Sequence, residues 1–367
     1  MGNIKRALKQ RSYFLRYLKK SAVRSAIQGN EAQENIMEYH YAEKPVFQQD
    51  NELHIDVDLM IVISTYNNGK YIEECLNSVI KQEGTYSYHI TIVNDGSTDN
   101  TREVLEKYIH YKNITIMHQE NQGAAEARNR ALKNINGKYV MFLDSDDMLP
   151  EKAIQKFMDT ALQYDADLVE GGFETFWDDG KRERTVYCDS VKKVPFYEIH
   201  SYAGMRVIRS ELLKNFCFPK GFYYEDIVIL KLLAPLCKRV YFIPDVIYRY
   251  RMHTTNTSIV RTGNYKVLDT FWLTKYCLEE MAERKCTFGE REYVDYLQQC
   301  WLNWFRTKEL PGKVQESMFV LTCDLYRKYF EAIKLKNSAK KYKWLDHIIK
   351  KKSYDAYVFV MQRWDSI

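Results

Sequence analysis

Between residues 59 and 165, short apolar runs alternate with amphipathic stretches. Residues 59–63, 90–93, 114–117 and 139–143 each have the length of a strand. Unbroken apolar runs of that length suit strands buried on both faces. Between them, Ile72, Cys75, Leu76, Val79 and Ile80 are spaced for one side of a helix over about 70–82. Thr98 or Asp99 caps a second helix carrying Val104, Leu105, Tyr108 and Ile109. Residues 123–134 form a third, rich in alanine. Pro150 suits the first turn of a fourth, which presents Ile154, Phe157, Met158 and Leu162. This alternation predicts an α/β unit with a mostly parallel sheet flanked by helices.

The pattern changes at both ends. Residues 1–25 read as a basic helix with Leu8, Phe14, Leu15, Leu18 and Ala22 toward one side, and 26–58 as a polar, acidic linker or arm. Beyond about 265 the strand pattern stops, and helices heavy in Tyr, Trp, Phe and Lys take over. The expected division is 1–58, 59–260 and 261–367.

Composition narrows the function classes. A hydrophobic fraction of 46% over 367 residues supports a core without covalent staples. The eight cysteines are scattered with no Cys-x-x-Cys pair, which argues against zinc and against a disulfide framework and for reduced thiols in a cytoplasmic protein. The greasiest stretch, 227–247, is broken by Lys231, Pro235, Lys238, Arg239 and Pro244, too often for a membrane span. The N-terminus lacks the apolar core of a secretory signal. A net charge of +5 is modest, and with no nucleic-acid motif it points away from nucleic acid. The charge is clustered, however. Eight Lys and Arg and no acid fall in residues 1–25, and a second group runs from Lys334 to Lys352 among aromatics. Such ends suit either a solvated face or peripheral attachment to the inner face of the plasma membrane.

Ligands of open α/β sheets bind at the carboxyl ends of the strands, and the unusual polar clusters fall there. The first strand runs into Ser64-Thr65-Tyr66-Asn67-Asn68-Gly69, the second into Asn94-Asp95-Gly96-Ser97-Thr98-Asp99, and the fourth into Asp144-Ser145-Asp146-Asp147. Singly, each is ordinary turn and cap chemistry. Three on one rim of one sheet suggest a site. The three carboxylates in 144–147 repel one another, and a hard divalent cation would offset them while leaving positions for phosphate oxygens; an exposed acidic loop capping a helix is the plainer alternative. Arg128 falls on the first turns of the third helix, where it can face solvent or pair with a diphosphate. Glu225 and Asp226 follow two tyrosines and precede an apolar run. That setting suits a general base, and equally a helix N-terminus. His253 alone is a weak signal.

In order and spacing, Val62 to Asn67, Val93 to Asp99, Asn121 to Asn129 and Phe142 to Asp147 resemble the motifs of family 2 glycosyltransferases, over about 59–260. The resemblance implies a GT-A, Rossmann-like fold and inverting transfer of a sugar from a nucleotide-diphosphate donor, leaning to UDP, onto a hydroxyl acceptor such as a growing glycan or lipid-linked oligosaccharide. It implies that Tyr66 stacks on the nucleobase and Asp95 bonds it, with Ser64, Thr65, Asn67, Arg128 and Asp144 also on the donor. Asp146, with His253, would hold Mn2+ or Mg2+, and Asp226 would be the catalytic base. The segment 203–209 follows the family pattern loosely, which leaves the acceptor open. The aromatic C-terminal helices also offer a surface for a second copy of the chain. Two rivals compete. A sugar-nucleotide pyrophosphorylase needs an Arg-containing phosphate loop after the first strand, where this chain has none. A catalytically silent scaffold would not need Asp144, Asp146 and Asp226.

Overall fold

The computed structural model describes residues 25, 27–40, 43–253 and 264–366. The basic helix expected over 1–25 thus lies outside the described residues, Ser25 apart. The chain divides into two compact units, one drawn from both ends (Met1–Tyr41 and Arg261–Ile367) and one from the middle (Ala42–Val260).

The stretch read as a linker contains a helix and the start of a strand. Helix α1 (Gly29–Met37) belongs to the first unit and buries only Ala32 and Ile36, so its polar composition hides it. Strand β1 (Glu52–Thr65) begins well before the apolar run, because its exposed half pairs with the start of a neighbouring strand. Its second half is the run itself, from Leu59 to Ile63, buried on both faces.

The middle unit continues with α2 (Ile72–Ile80), β2 (Tyr88–Asp95), α3 (Thr101–Glu106), β3 (Ile114–Gln119), α4 (Ala124–Leu132), β4 (Asn134–Asp144) and α5 (Ala153–Gln163). Each expected element is present, but α4 stops at Leu132 and Asn134 already belongs to β4. Helix α3 ends at Glu106, so Ile109 is exposed while Tyr108 stays buried. Helix α5 starts after Lys152, whose left-handed backbone (φ 59°) cannot belong to a right-handed helix, and Pro150 therefore sits in the preceding turn.

Strands β5 (Leu168–Trp177), β6 (Arg182–Thr185), β7 (Lys192–Val194), β8 (Arg206–Arg209) and β9 (Val240–Met252) complete a sheet of order β3-β2-β1-β4-β8-β5-β9-β7, with β6 on β5. Its β3-β2-β1-β4 side is wholly parallel. Strand β8 runs antiparallel between β4 and β5, and β5 returns to parallel pairing with β9. Register aligns Ser64 of β1 with Val93 of β2 and with Asp144 of β4, so three strand ends share one level.

The first unit is helical: α1 with α6 (Asp269–Glu283), α7 (Glu290–Thr307), α8 (Gly312–Tyr329), α9 (Lys340–Lys351) and α10 (Tyr354–Met361). Its core stacks Tyr293 and Tyr296 on Phe330, and a buried Thr270–Asn303–Gln299 knot satisfies its own polar groups. No described helix is long and apolar enough to cross a membrane.

Candidate active site

Backbone geometry brings the strand-end loops together. Asn67 takes a left-handed conformation (φ 51°), its N–H donates to Ser97 Oγ (2.9 Å), and its side-chain oxygen accepts from the Thr98 N–H (2.7 Å). Asn67 therefore clasps the loop after β1 to the loop after β2. The Asp99 carboxylate accepts from the Gly69 N–H (3.0 Å), and Asn68 donates to Ser145 Oγ in the loop after β4 (2.6 Å). On this framework Tyr66 stands out, 47% exposed, and the Thr65 hydroxyl is buried with no hydrogen-bond partner.

Asp95 ends β2 almost fully buried. Its carboxylate accepts from Gln119 Nε2 (2.7 Å) and the Gln122 N–H (2.9 Å) on one oxygen, and from the Gly123 N–H (2.8 Å) on the other. Those bonds tie β2 to the start of α4 and leave acceptor capacity on the second oxygen.

Arg128, on α4, sits at the centre. Its Nη2 donates to Asp144 Oδ1 (2.9 Å) and its Nη1 to Glu225 Oε1 (2.8 Å). Burial alone would lower the guanidinium pKa, but Asp144 and Glu225 outweigh it and raise it. Both terminal nitrogens of Arg128 are thus engaged by carboxylates of the chain, since a guanidinium this deeply buried needs counter-charge. The pairing also fixes Glu225 beside Asp144. Asp226 is half-buried on the same turn, and its charge acts on Arg128. This turn follows Tyr224 (φ 65°) and leads into a π-helical turn, Ile229–Leu233, a form found often at functional sites.

The acidic turn is not an exposed loop. Asp147 is the most deeply buried of its carboxylates, accepting from Tyr248 OH (2.6 Å), Tyr202 OH (3.1 Å) and the Arg251 N–H (2.8 Å). Burial, then Asp146 and Asp144, push its carboxyl well above the usual range. The single Tyr202 hydroxyl proton is shared between Asp147 and Asp144 Oδ2, the latter being the shorter contact (2.6 Å). Asp146 meets His253 Nε2 at 3.0 Å, and His253 stacks on Tyr71. The Asp146 carboxyl is raised too, by burial and by Asp144, with His253 opposing.

The residues named from sequence therefore gather on one rim, while Tyr202, Tyr248 and Arg251 were missed. Alternation along the strand that leads to His253 puts Arg251 on the same face as His253, which is the signal that could have found one of them. In the segment 203–209, Arg206 is fully buried and paired with Glu170 at 2.8 Å, so it serves the core. Among the described residues, no group of three or more His, Cys, Asp or Glu side chains is placed to hold a metal ion.

Comparison with known proteins agrees with this geometry. The glycosyl transferase family 2 model matches residues 60–223, which include the three strand-end loops and stop short of Glu225, Asp226 and His253. Glycosyltransferase GlyG of Streptococcus pneumoniae is 30% identical over 225 residues, covering 56% of this chain and 73% of that protein. A teichoic acid poly(glycerol phosphate) polymerase of Staphylococcus epidermidis is 42% identical over 104 residues, 28% of this chain but only 14% of that larger protein. In structure, S. aureus TarS 1–349 in complex with UDP-GlcNAc matches with a TM-score of 0.65 at 20% identity, over 84% of this chain and 92% of that one, a likeness of fold. With the strand-end motifs in the family's order on a GT-A-like sheet, and with relatives in teichoic acid and polysaccharide synthesis, the chain belongs to glycosyltransferase family 2.

Proposed function

We propose that the chain transfers a sugar from a UDP-sugar, with inversion, onto a hydroxyl of a growing cell-surface glycan or lipid-linked oligosaccharide at the cytoplasmic side. The observation carrying this reading is the Arg128 bridge, which joins the Asp144 strand end to the turn that bears Asp226. One buried cation thereby links the donor side of the site to a candidate base. UDP is the nucleotide to test first because the fold neighbour TarS was solved with UDP-GlcNAc and with UDP.

In this reading Tyr66 stacks on the base, and Asp95 uses its remaining lone pair on the base N–H. Ser64, Thr65 and Asp144 line the ribose and diphosphate side, Thr65 through its backbone because its hydroxyl is buried. Asn67 acts by holding the loop that presents Tyr66. Arg128 acts by holding Asp144 and Glu225 in place. Asp226 takes the proton of the acceptor hydroxyl. The oxygen then attacks the anomeric carbon from the face opposite UDP, and the C–O bond to the diphosphate breaks with its electron pair leaving on UDP.

Asp146 and His253 fit a divalent cation (Mn2+ or Mg2+), because they meet at 3.0 Å and burial, then the charge of Asp144, raises the Asp146 carboxyl, which a cation would relieve. Bound there, the ion would offset charge on the departing diphosphate. With only two side-chain ligands, donor oxygens and water would complete its shell.

A thermal-shift series with nucleoside diphosphates, with and without Mn2+, tests the donor site. UDP with metal should raise the midpoint and Asp146→Ala should abolish the shift; no shift with any nucleotide overturns the reading. Asp226→Asn should keep the UDP shift and lose turnover by about 100-fold or more, in line with general-base catalysis. Unchanged turnover would remove Asp226 from the role.

A further inference from the structure

The helical unit carries a surface with no part in the donor site. On α7, Trp301 and Phe305 are one turn apart and stack at 5.5 Å. Phe305 is 48% exposed, and the Lys308 ammonium lies 4.5 Å from its ring. Trp301 also stacks on Trp364 beyond α10 (6.4 Å), and Lys341, in the first turn of α9, places its ammonium 4.7 Å from the Trp364 ring. Tyr342 meets Trp364 edge-on at 5.6 Å and donates its hydroxyl to Gln298 of α7 (3.1 Å). Three chain segments are thereby joined around Trp364, itself buried, with exposed Phe305 and half-buried Trp301 and Tyr342 as the outer edge. Exposed Lys340, Lys343 and Arg363 extend its positive charge; Glu309 and Asp365 adjoin it in sequence, Asp346 is engaged by Lys350 (2.9 Å), and the charge of Asp295 on α7 reaches Tyr342.

Aromatic rings edged by lysines are the composition that settles at a water–lipid boundary. The rings sit at headgroup level, the lysine stems lie along apolar surface, and the ammonium groups reach anionic headgroups. Lysine is depleted from protein–protein interfaces, so this charge pattern favours a bilayer over a protein partner. We propose that this face of the helical unit rests on a membrane rich in anionic lipid. The inference concerns the helical unit alone and stands or falls independently of the donor-site reading.

The test is co-sedimentation of the full chain with vesicles of phosphatidylcholine, with and without phosphatidylglycerol. Binding is expected only with the anionic lipid. Each ammonium near such a surface changes partitioning by about fivefold. Replacing Lys308, Lys340, Lys341 and Lys343 by Ala, with the basic residues of 1–24 intact, should therefore weaken binding by about 100-fold or more. Phe305→Ser alone should weaken it severalfold. Circular dichroism and an unchanged thermal unfolding midpoint verify folding, and single Lys340→Glu and Lys343→Glu variants give the same readout if the quadruple variant does not fold. No binding to anionic vesicles overturns the proposal, as does parental binding by the lysine variants. Binding that ignores Phe305→Ser and is fully competed by soluble polyphosphate also overturns it, identifying a polyanion site instead.

Discussion

Arg128 is the residue on which most of the site's geometry depends. Its guanidinium is 8% exposed and holds Asp144 and Glu225, themselves largely buried, at 2.9 and 2.8 Å. Removing one partner of a buried ion pair costs about 3–5 kcal/mol, since the charge left behind cannot recover its water. Arg128→Ala leaves two carboxylates unpaired, so urea unfolding at neutral pH should register a loss in that range. Arg128→Lys keeps the charge, but one ammonium cannot reproduce a planar fork directed at two carboxylates. It should lose part of the stability and more of the turnover. A variant at Arg128 with parental stability would mean that the bridge is not formed in solution. Asp226→Asn is the contrasting case: it removes a charge from a half-buried turn and should act on turnover far more than on folding.

At the scale of elements, the loop after β2 is the most constrained piece of the rim. Gly96 has φ 73°, and a Cβ there would lie 2.7 Å from the Asn121 nitrogen and 3.2 Å from the Gln119 carbonyl oxygen, backbone atoms that cannot rotate away. Gly96→Ala should cost about 1–3 kcal/mol of stability, as strained backbone does. It should also shrink the UDP-induced midpoint shift, because the neighbouring Asp95 is tied to the same 119–123 segment. Gly180→Ala is the control. Its backbone is equally left-handed (φ 89°), yet nothing lies within 4 Å of the added carbon, so it should lose some stability and keep the UDP response. The loops near Gly96 were legible in the sequence for a physical reason. Parallel strands buried on both faces write continuous apolar runs, and the polar residues that end them are local. The Tyr202–Asp147–Tyr248 cluster was not legible, because its members stand 55 and 101 positions apart and meet only through the mixed half of the sheet. Helix α1 was missed for the opposite reason: its helical period is carried by two buried residues in nine.

At the scale of the whole molecule, acid should destabilise both units through histidines held neutral. In the helical unit His40 stacks on Trp272 at 4.3 Å and meets Tyr276 OH at 2.8 Å, and burial lowers its pKa. Burial likewise lowers the half-buried His89 in the α/β unit. A depressed pKa means that the unfolded chain takes up the proton first, at about pH 6.5. The stability these groups contribute is therefore fully present above that pH and is lost as pH falls through their lower folded values. Asp167 acts further down. Burial works against its ionisation, but hydrogen bonds from Arg239 and from the Lys238 and Arg239 N–H groups hold its carboxyl below the usual range, so its contribution is lost only below about pH 4. Calorimetry should show the unfolding midpoint falling in two stages, one beginning near pH 6.5 and one below pH 4. His40→Gln should flatten the first stage and leave the second, whereas Asp167→Asn should lower the neutral-pH midpoint and flatten only the second. A midpoint constant from pH 7 to pH 5 would mean that the histidines are solvated in the folded protein, and the stacked environment of His40 would then be wrong.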